Sequence, residues 1–256
     1  MSLKTFSKFY YGYEITTDNN LVNFDEGGGE LTGELNVGFY TLEQFAVEIQ
    51  RALRAEGAFD YLVVVNRTTR KLTISAGSNF ELLPVTGASS GVSAFPLMGF
   101  TTDRASDDSY EGNVASGFSY APQFILQDHV PTANWKKSVQ ASVNKTASGR
   151  VEVIKFGEEQ FLQGNIMYIT NITQDGAVVK TNGSGVQDFL DFMDWLIKKA
   201  PVEYMADIAT VGTFQNLILE STPEDKSGTG YKLKELYDKG LPGYFESGIL
   251  VFRMVD

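Results

Sequence analysis

The chain has 256 residues, 43% of them hydrophobic, which is enough for one large or two modest globular domains with a sizeable core. It contains no cysteine, which excludes a disulfide framework, a thiol nucleophile and a thiolate metal site. The net charge of −11 and the dispersed Lys and Arg residues argue against a general nucleic-acid binder, because phosphate contacts need clustered cations.

Aromatic residues make up 12% of the chain, a content typical of strands and buried interfaces, so we expect β structure to dominate. The opening MSLKTFSKFYYGYE has no apolar run of signal-peptide length, and no run of about 18 apolar residues occurs elsewhere. This predicts synthesis in the cytoplasm and no membrane partner. Four sequons are therefore interpreted as turn chemistry rather than glycosylation sites, at Asn66, Asn144, Asn171 and Asn182.

The first elements along the chain are two strands, predicted at residues 9–16 and 31–37 and joined by the polar NFDEGGGE. The three glycines 27–29 could suggest a phosphate-binding loop. They lack a following Gly-Lys-Ser/Thr, however, and the carboxylates of Asp25, Glu26 and Glu30 would repel phosphate. A flexible turn is the interpretation we favour.

A helix is predicted over residues 42–56. Thr41 is a good N-cap, Gln44 is placed to complete a capping box, and Gly57 stands where the chain must leave the helix. Apolar residues recur at helical spacing at Leu42, Phe45, Ala46, Ile49 and Leu53. The opposite face, which we expect in water, carries Glu43, Glu48, Arg51 and Arg54.

Two strands are predicted after this helix, YLVVV at 61–65 and LTISA at 72–76, paired as a hairpin around the polar NRTTRK. A separate third strand is predicted at 80–83, followed by a loop and the phrase FPLMGF.

The order YTLEQFAVEIQRAL, YLVVVNRTTRKLTISAGSNFELL, FPLMGFTTD resembles a module of virion proteins from tailed phages and some other DNA viruses. In that module a "G-x-YT-x-E-x-x-x-x-I" helix leads into strands of the "T-x-K-x-TIS" kind and ends on "LLGF". The match covers about the second quarter of the chain and consists of fold-forming residues. The resemblance implies a structural role.

Residues 101–127 are poor in aliphatic side chains and rich in Ser, Asp and Gly, which predicts a long loop or linker. The carboxylates of Asp103, Asp107, Asp108 and Glu111 could suggest a calcium site. Their spacing does not match the alternating ligands and the glycine of an EF-hand, so a solvated loop is favoured.

The second half shows short strands about ten residues apart, a spacing typical of a β-sandwich or barrel. They are predicted at 138–143, 150–156, 165–172, 177–180, 202–208, 213–220 and 248–255. GTGYK, in the loop after 220, lacks phosphate-loop spacing and is interpreted as a surface excursion.

One helix interrupts these strands, predicted over 185–199 with Ser184 as N-cap, Gln187 as its box partner and Pro201 at the end. Its apolar stripe is Val186, Phe189, Leu190, Met193 and Ile197. Phe192 and Trp195 widen the apolar face, and a partner subunit is one way to cover it.

Three aspartates on this helix, Asp188, Asp191 and Asp194, are spaced three apart, as a carboxylate pair for acid/base catalysis would require. Favourable interaction with the helix dipole and an Asp194 to Lys198 pair account for them without catalysis. The single histidine, His129, is interpreted as a turn residue, and no G-x-S-x-G elbow accompanies it.

Together the patterns predict a mainly β (α+β) protein with two sandwich-like domains, 1–123 and 124–256, each with one amphipathic helix. This layout looks like the distal tail proteins of long-tailed phages, which form hexameric rings between the tail tube and the receptor-binding apparatus. The resemblance implies a non-enzymatic virion or baseplate protein, made in the host cytoplasm, whose partners are copies of itself and other tail proteins. We predict no catalytic, cofactor-binding or metal-binding residue.

Two other classes stay open. One is a carbohydrate-binding or adhesin module of a virion, with Trp135 and Trp195 as candidates for stacking on sugar rings. The other is a carboxylate-dependent glycosidase, although no spacing of Asp and Glu selects a pair.

Overall fold

A computed structural model of the chain describes residues 7–67, 69, 71–116, 120–124, 135–145, 151–167, 169–170, 173–174, 177–178, 186–205, 215–226 and 228–255. These residues form a mainly β, sandwich-like α+β fold, which confirms the predicted fold class. The chain divides into two compact units. The middle unit is Tyr11–Tyr120, and the outer unit is Met1–Tyr10 together with Ala121–Asp256.

The strands are β1 (Ser7–Tyr11), β2 (Tyr13–Ile15), β3 (Leu21–Asp25), β4 (Glu30–Glu34), β5 (Gly38–Tyr40), β6 (Leu62–Asn66), β7 (Lys71–Leu82), β8 (Arg104–Glu111), β9 (Tyr120–Phe124), β10 (Trp135–Lys145), β11 (Val151–Asn165), β12 (Ile169–Thr170), β13 (Thr173–Gln174), β14 (Ala177–Val178), β15 (Val202–Met205), β16 (Gln215–Ser221), β17 (Lys234–Leu236), β18 (Leu241–Glu246) and β19 (Ile249–Met254). The helices are α1 (Leu42–Glu56), α2 (Phe95–Met98) and α3 (Val186–Ile197), with 3₁₀ turns at Ser90–Val92 and Tyr237–Lys239.

The central strand of the middle unit is β7. Its first half pairs with β6 and its second half with β3, while β8 pairs along its other side. Ile74, for example, pairs with Val63 of β6 and with Tyr110 of β8. Since β4 extends the sheet beyond β3, its outer strands are β4, β6 and β8.

The capping residues of α1 behave as predicted. The Thr41 hydroxyl accepts a hydrogen bond from the Gln44 N–H at 3.4 Å, and the Gln44 side chain accepts one from the Thr41 N–H at 3.0 Å. A side-chain cap of this kind stabilises a helix by about 1 kcal/mol. All five residues of the predicted apolar stripe are buried: Leu42, Phe45, Ala46, Ile49 and Leu53.

Two strand predictions in this unit are corrected. Residues 9–16 are not one strand but β1 and β2, separated at Gly12, where a Cβ atom would lie 1.9 Å from the Tyr40 carbonyl oxygen. Residues 72–76 and 80–83 are not two strands but parts of β7, which continues through irregular pairing between Ser75 and Phe80. The predicted hairpin between β6 and β7 is confirmed.

The prediction of a loop over 101–127 is wrong for much of that range. Residues 104–111 form β8 and residues 120–124 form β9. β8 lacks the apolar alternation of a half-buried strand because only one of its eight side chains, Tyr110, is buried.

The outer unit contains a seven-stranded sheet in the order β10, β11, β19, β16, β15, β1, β9. The chain thus enters and leaves the middle unit through neighbouring strands, β1 and β9. Phe9 of β1 packs against Phe192 of α3, with ring centroids 5.2 Å apart. It also lies 5.0 Å from Tyr204 and 5.4 Å from Phe252, so helix and sheet share one aromatic core.

α3 is confirmed at Val186–Ile197, and its predicted N-cap, Ser184, lies outside the described residues. Phe192 and Trp195, which widen its apolar face, are 0% and 8% exposed. The chain itself therefore covers this face, and no partner subunit is needed to do so. The segment predicted as one strand at 165–172 is corrected, since β11 ends at Asn165 and β12 begins at Ile169.

Candidate functional site: the sheet edges

The outer strands of a sheet carry unpaired N–H and C=O groups, which can pair with another chain. In the described residues, the larger sheets have five outer strands: β4, β6 and β8 in the middle unit, and β9 and β10 in the outer unit. These strands are protected to very different degrees.

α1 lies beside both β4 and β6 and binds the chain at each. The Arg51 guanidinium donates to the Glu34 carbonyl, the last of β4, at 2.7 Å. The Arg54 guanidinium donates to the Tyr61 carbonyl, immediately before β6, at 2.8 Å. One helix thus binds a carbonyl group at the end of β4 and another just before β6.

Glu48 holds Arg51 in this position, which corrects the prediction that Glu48 faces water. Its carboxylate accepts from the Arg51 guanidinium at 2.6 and 2.9 Å and from the Asn36 N–H at 2.6 Å, and the residue is 8% exposed. Burial raises the pKa of Glu48, but the hydrogen bonds from Arg51 and Asn36 and the charge of Arg51 outweigh it, so the pKa lies below its ordinary value.

β8 presents an acidic edge. Asp107 and Asp108 are exposed, and the Asp107 carboxylate accepts from the Asp108 N–H at 2.8 Å. Tyr110 points inward, where its hydroxyl donates to the Phe80 carbonyl at 2.5 Å. The Arg104 guanidinium donates to the Glu111 carbonyl at 3.0 Å, so β8 is bent, and its register against β7 shifts twice. Carboxylates on an edge strand discourage pairing with another acidic edge.

β9, at one end of the seven-stranded sheet, is interrupted by Pro122. Proline has no backbone N–H, so it removes a donor from the edge and blocks a continuous ladder. This edge is therefore poorly suited to accept another strand.

β10, at the other end, has no such interruption. Its 11 residues, WKKSVQASVNK, contain no proline, no glycine and no acidic residue. It pairs with β11 over its whole length, from Trp135 opposite Leu162 to Lys145 opposite Val151. Its other side has no strand among the described residues.

Within the part of the chain that the structure describes, β11 also has a partner strand on only one side over most of its length. Its partner β19 reaches only residues 161–165, so residues 151–160 pair with β10 alone. We call residues 137–145 and 151–160 the ribbon. At about 3.4 Å per residue, it continues roughly 30 Å past the third strand. It contains one bulge, between Gln140 and Ala141.

The ribbon has two open edges within the described strands, and two-stranded hairpins are only marginally stable in water. Chemically it can therefore accept a strand through backbone hydrogen bonds. Strands at 138–143 and 150–156 are predicted from the sequence. That they have no third strand among the described residues is not predictable, because pairing partners are distant in sequence.

The glycines 27–29 lie in a turn, as predicted, but the turn joins β4 to β3, a strand at Leu21–Asp25 that the sequence pattern does not predict. Gly27 and Gly29 have φ values of +90° and +116°. Their N–H groups donate to the Asp25 carboxylate at 2.6 and 3.1 Å. A protein carboxylate thus occupies the position that a phosphate would need.

The residues considered as calcium ligands serve other roles. Asp103 accepts from the N–H groups of Val85 and Thr86 at 2.8 and 3.3 Å, and Glu111 forms an ion pair with Lys71 at 3.3 Å. Among the described residues, no group of three or more His, Asp or Glu side chains is arranged to hold a metal ion.

Trp195 cannot stack on a sugar ring, because it is buried and its indole N–H donates to the Pro201 carbonyl at 3.0 Å. Trp135 begins β10. On α3, Asp191 and Asp194 are exposed, and Asp194 accepts from the Tyr231 hydroxyl at 3.0 Å. Burial, together with the hydrogen bond to Asp194, raises the pKa of Tyr231 to about 12.

Some predicted features lie outside the described residues, namely His129 and the sequons at Asn171 and Asn182. Asn66 does take part in turn chemistry, since its side chain accepts from the Thr69 N–H at 3.1 Å. Asn144 lies in β10.

None of the helices in the described part of the chain combines the length and the hydropathy that crossing a bilayer requires. Neither a protein-family model nor a curated protein matches the chain.

Proposed function

We propose that the chain is a structural virion component of a phage tail, a ring-forming protein of the distal tail or baseplate kind that acts by assembly with copies of itself and other tail proteins. The observation that carries this proposal is the ribbon, a stretch of sheet with no third strand on either edge among the described residues. It adds a physical route to assembly to the sequence resemblance.

An added strand is expected to stabilise the ribbon, and this supports assembly as the ribbon's role. A third strand pairs the backbone N–H and C=O groups along an edge and shields side chains on both faces. The ribbon alone lacks this stabilisation, so a strand from another molecule has the most to contribute there.

A shortened ribbon provides the test. Residues 141–144 pair one to one with residues 152–155, so deleting both segments removes four residues from each strand. An even number keeps every remaining side chain on its own face. The bulge and the pairs from Trp135 to Gln140 stay in place, so thermal melting of the outer unit should change little.

The full-length chain should form closed particles as concentration rises, and the shortened chain should stay monomeric, as measured by mass photometry and negative-stain microscopy. A full-length chain that remains monomeric at all concentrations and salts, or a shortened chain that assembles equally well, would contradict the proposal.

A further inference from the structure

We infer that the ribbon of one copy pairs through β10 with the acidic free edge of β8 in a neighbouring copy. This inference rests on the proposed function and names the surface that accepts the ribbon. The partner is thus a second copy of this chain.

Charge complementarity favours this pairing. β10 carries three lysines, Lys136, Lys137 and Lys145, and no acidic residue. Lys137 forms an ion pair with Glu158 of β11, so the complementarity with β8 depends on Lys136 and Lys145. β8 carries Asp107, Asp108 and Glu111 against a single Arg104. In a chain of net charge −11, residues 135–165 are an exception, with five Lys and Arg against three Glu. Opposite charges on neighbouring strands attract across the new ladder.

The remaining edges suit β10 less well. β4 and β6 lie beside α1, and β9 carries Pro122. The strands of the small sheets in the described residues have at most six residues, whereas β8 has eight. The open part of β11, residues 151–160, is longer, but its Glu158 and Glu159 already form ion pairs with Lys137 and Arg253. Outside the ribbon, β8 is the longest edge strand that the structure describes.

Pairing of β10 with its own copy is disfavoured by its lysines. An antiparallel two-fold ladder centred on Ala141 would place Lys137 directly opposite Lys145. Like charges opposite each other destabilise a strand pair. A contact between two different surfaces, β10 and β8, is head-to-tail, which is the kind of contact that builds rings when its rotation closes.

The chain contains no cysteine, so engineered disulfides can report the contact without background. Both strands offer serines for nearly isosteric replacement. One protein carries Ser138→Cys or Ser142→Cys in β10, and the other carries Ser106→Cys or Ser109→Cys in β8. The two are mixed at assembling concentration and oxidised.

Covalent dimers should form between β10 and β8 variants in at least one of the four pairings, and at least tenfold less when either variant is oxidised alone. If the chain assembles but only β10 cysteines link to each other, or no pairing links, the inference is overturned while the proposed function stands. A chain that never assembles overturns both.

Charge reversal provides a second test of the contact between β10 and β8. Asp107→Lys with Asp108→Lys should weaken assembly at least tenfold, and adding Lys136→Glu with Lys145→Glu should restore it. The matched control is Asp18→Lys with Asp238→Lys, two exposed turn residues, which changes net charge equally and should leave assembly intact. Equal effects of the control and the β8 variant would refute a specific contact.

Discussion

The β4 and β6 edges of the middle unit differ from the ribbon of the outer unit in what lies beside them. In the middle unit, α1 lies beside β4 and β6, and its arginines bind carbonyl groups there. In the outer unit, β10 and most of β11 have no third strand among the described residues. The β4 and β6 edges therefore need no further strand, whereas the ribbon and the acidic edge of β8 are the parts that we expect assembly to stabilise.

The strongest way to break the comparison is to remove α1 from the sheet. Ile49→Asp should destabilise the middle unit by about 4 kcal/mol or more, because Ile49 is 0% exposed and an unpaired carboxylate would be buried. Denaturation followed by circular dichroism measures the loss. Both tryptophans lie in the outer unit, so their fluorescence reports that unit separately.

Val47→Asp is the matched control, since Val47 lies on the same helix and is 67% exposed. We expect it to change the free energy of unfolding by less than about 0.5 kcal/mol. Equal melting temperatures for the two variants would mean that the stripe is not core.

A smaller effect is expected at Glu48. Glu48→Gln should cost about 1 to 2 kcal/mol at neutral pH, because it removes the charge that binds Arg51 and the Asn36 N–H. The folded-state pKa of Glu48 is lowered, so this stabilisation is complete above the ordinary glutamate pKa of about 4.3 and is lost as pH falls through the lowered value. Urea titrations from pH 7 to 3 should therefore show the two proteins converging in acid. A constant difference would contradict this role.

The smallest effect is expected at Arg54. Arg54→Ala removes the hydrogen bond to the Tyr61 carbonyl and an exposed ion pair with Asp60. The loss of stability should be about 1 kcal/mol, because most of the guanidinium's contribution is screened by water. Arg54→Lys keeps the charge but loses the planar guanidinium. Its free energy of unfolding, measured by chemical denaturation, should lie between those of the wild type and Arg54→Ala. Wild-type stability in both variants would show that this carbonyl needs no cap.

Local signals explain which parts of the fold were predictable. α1 was predicted at its observed bounds because Thr41, Gln44 and Gly57 encode its start and end within a few residues. β8 was missed because its polar composition reflects an exposed edge, and its pairing with β7 depends on residues about 30 positions away. Gly12 divides two strands because of Tyr40, a distant neighbour that no local pattern reveals.

The candidate site shows the same limit. The strands of the ribbon are predicted as short strands separated by turn signals about ten residues apart, and both are longer than expected. Most of β11 lacks a third described strand because β19 pairs only with residues 161–165. That limit depends on pairing between strands distant in sequence. The exclusion of the glycine loop as a phosphate site was predictable, since the carboxylate that fills it, Asp25, is adjacent in sequence.

Hydrogen exchange of the backbone amides tests the central claim most directly. The chain should be labelled at a dilution where it is monomeric and at a concentration where it assembles, and peptides covering 137–145 and 151–160 compared with those covering β6. We predict fast exchange of the ribbon in the monomer, at least tenfold slower exchange in the assembly, and no change in β6. A ribbon already protected in the monomer, or equally exposed in both states, would contradict the account.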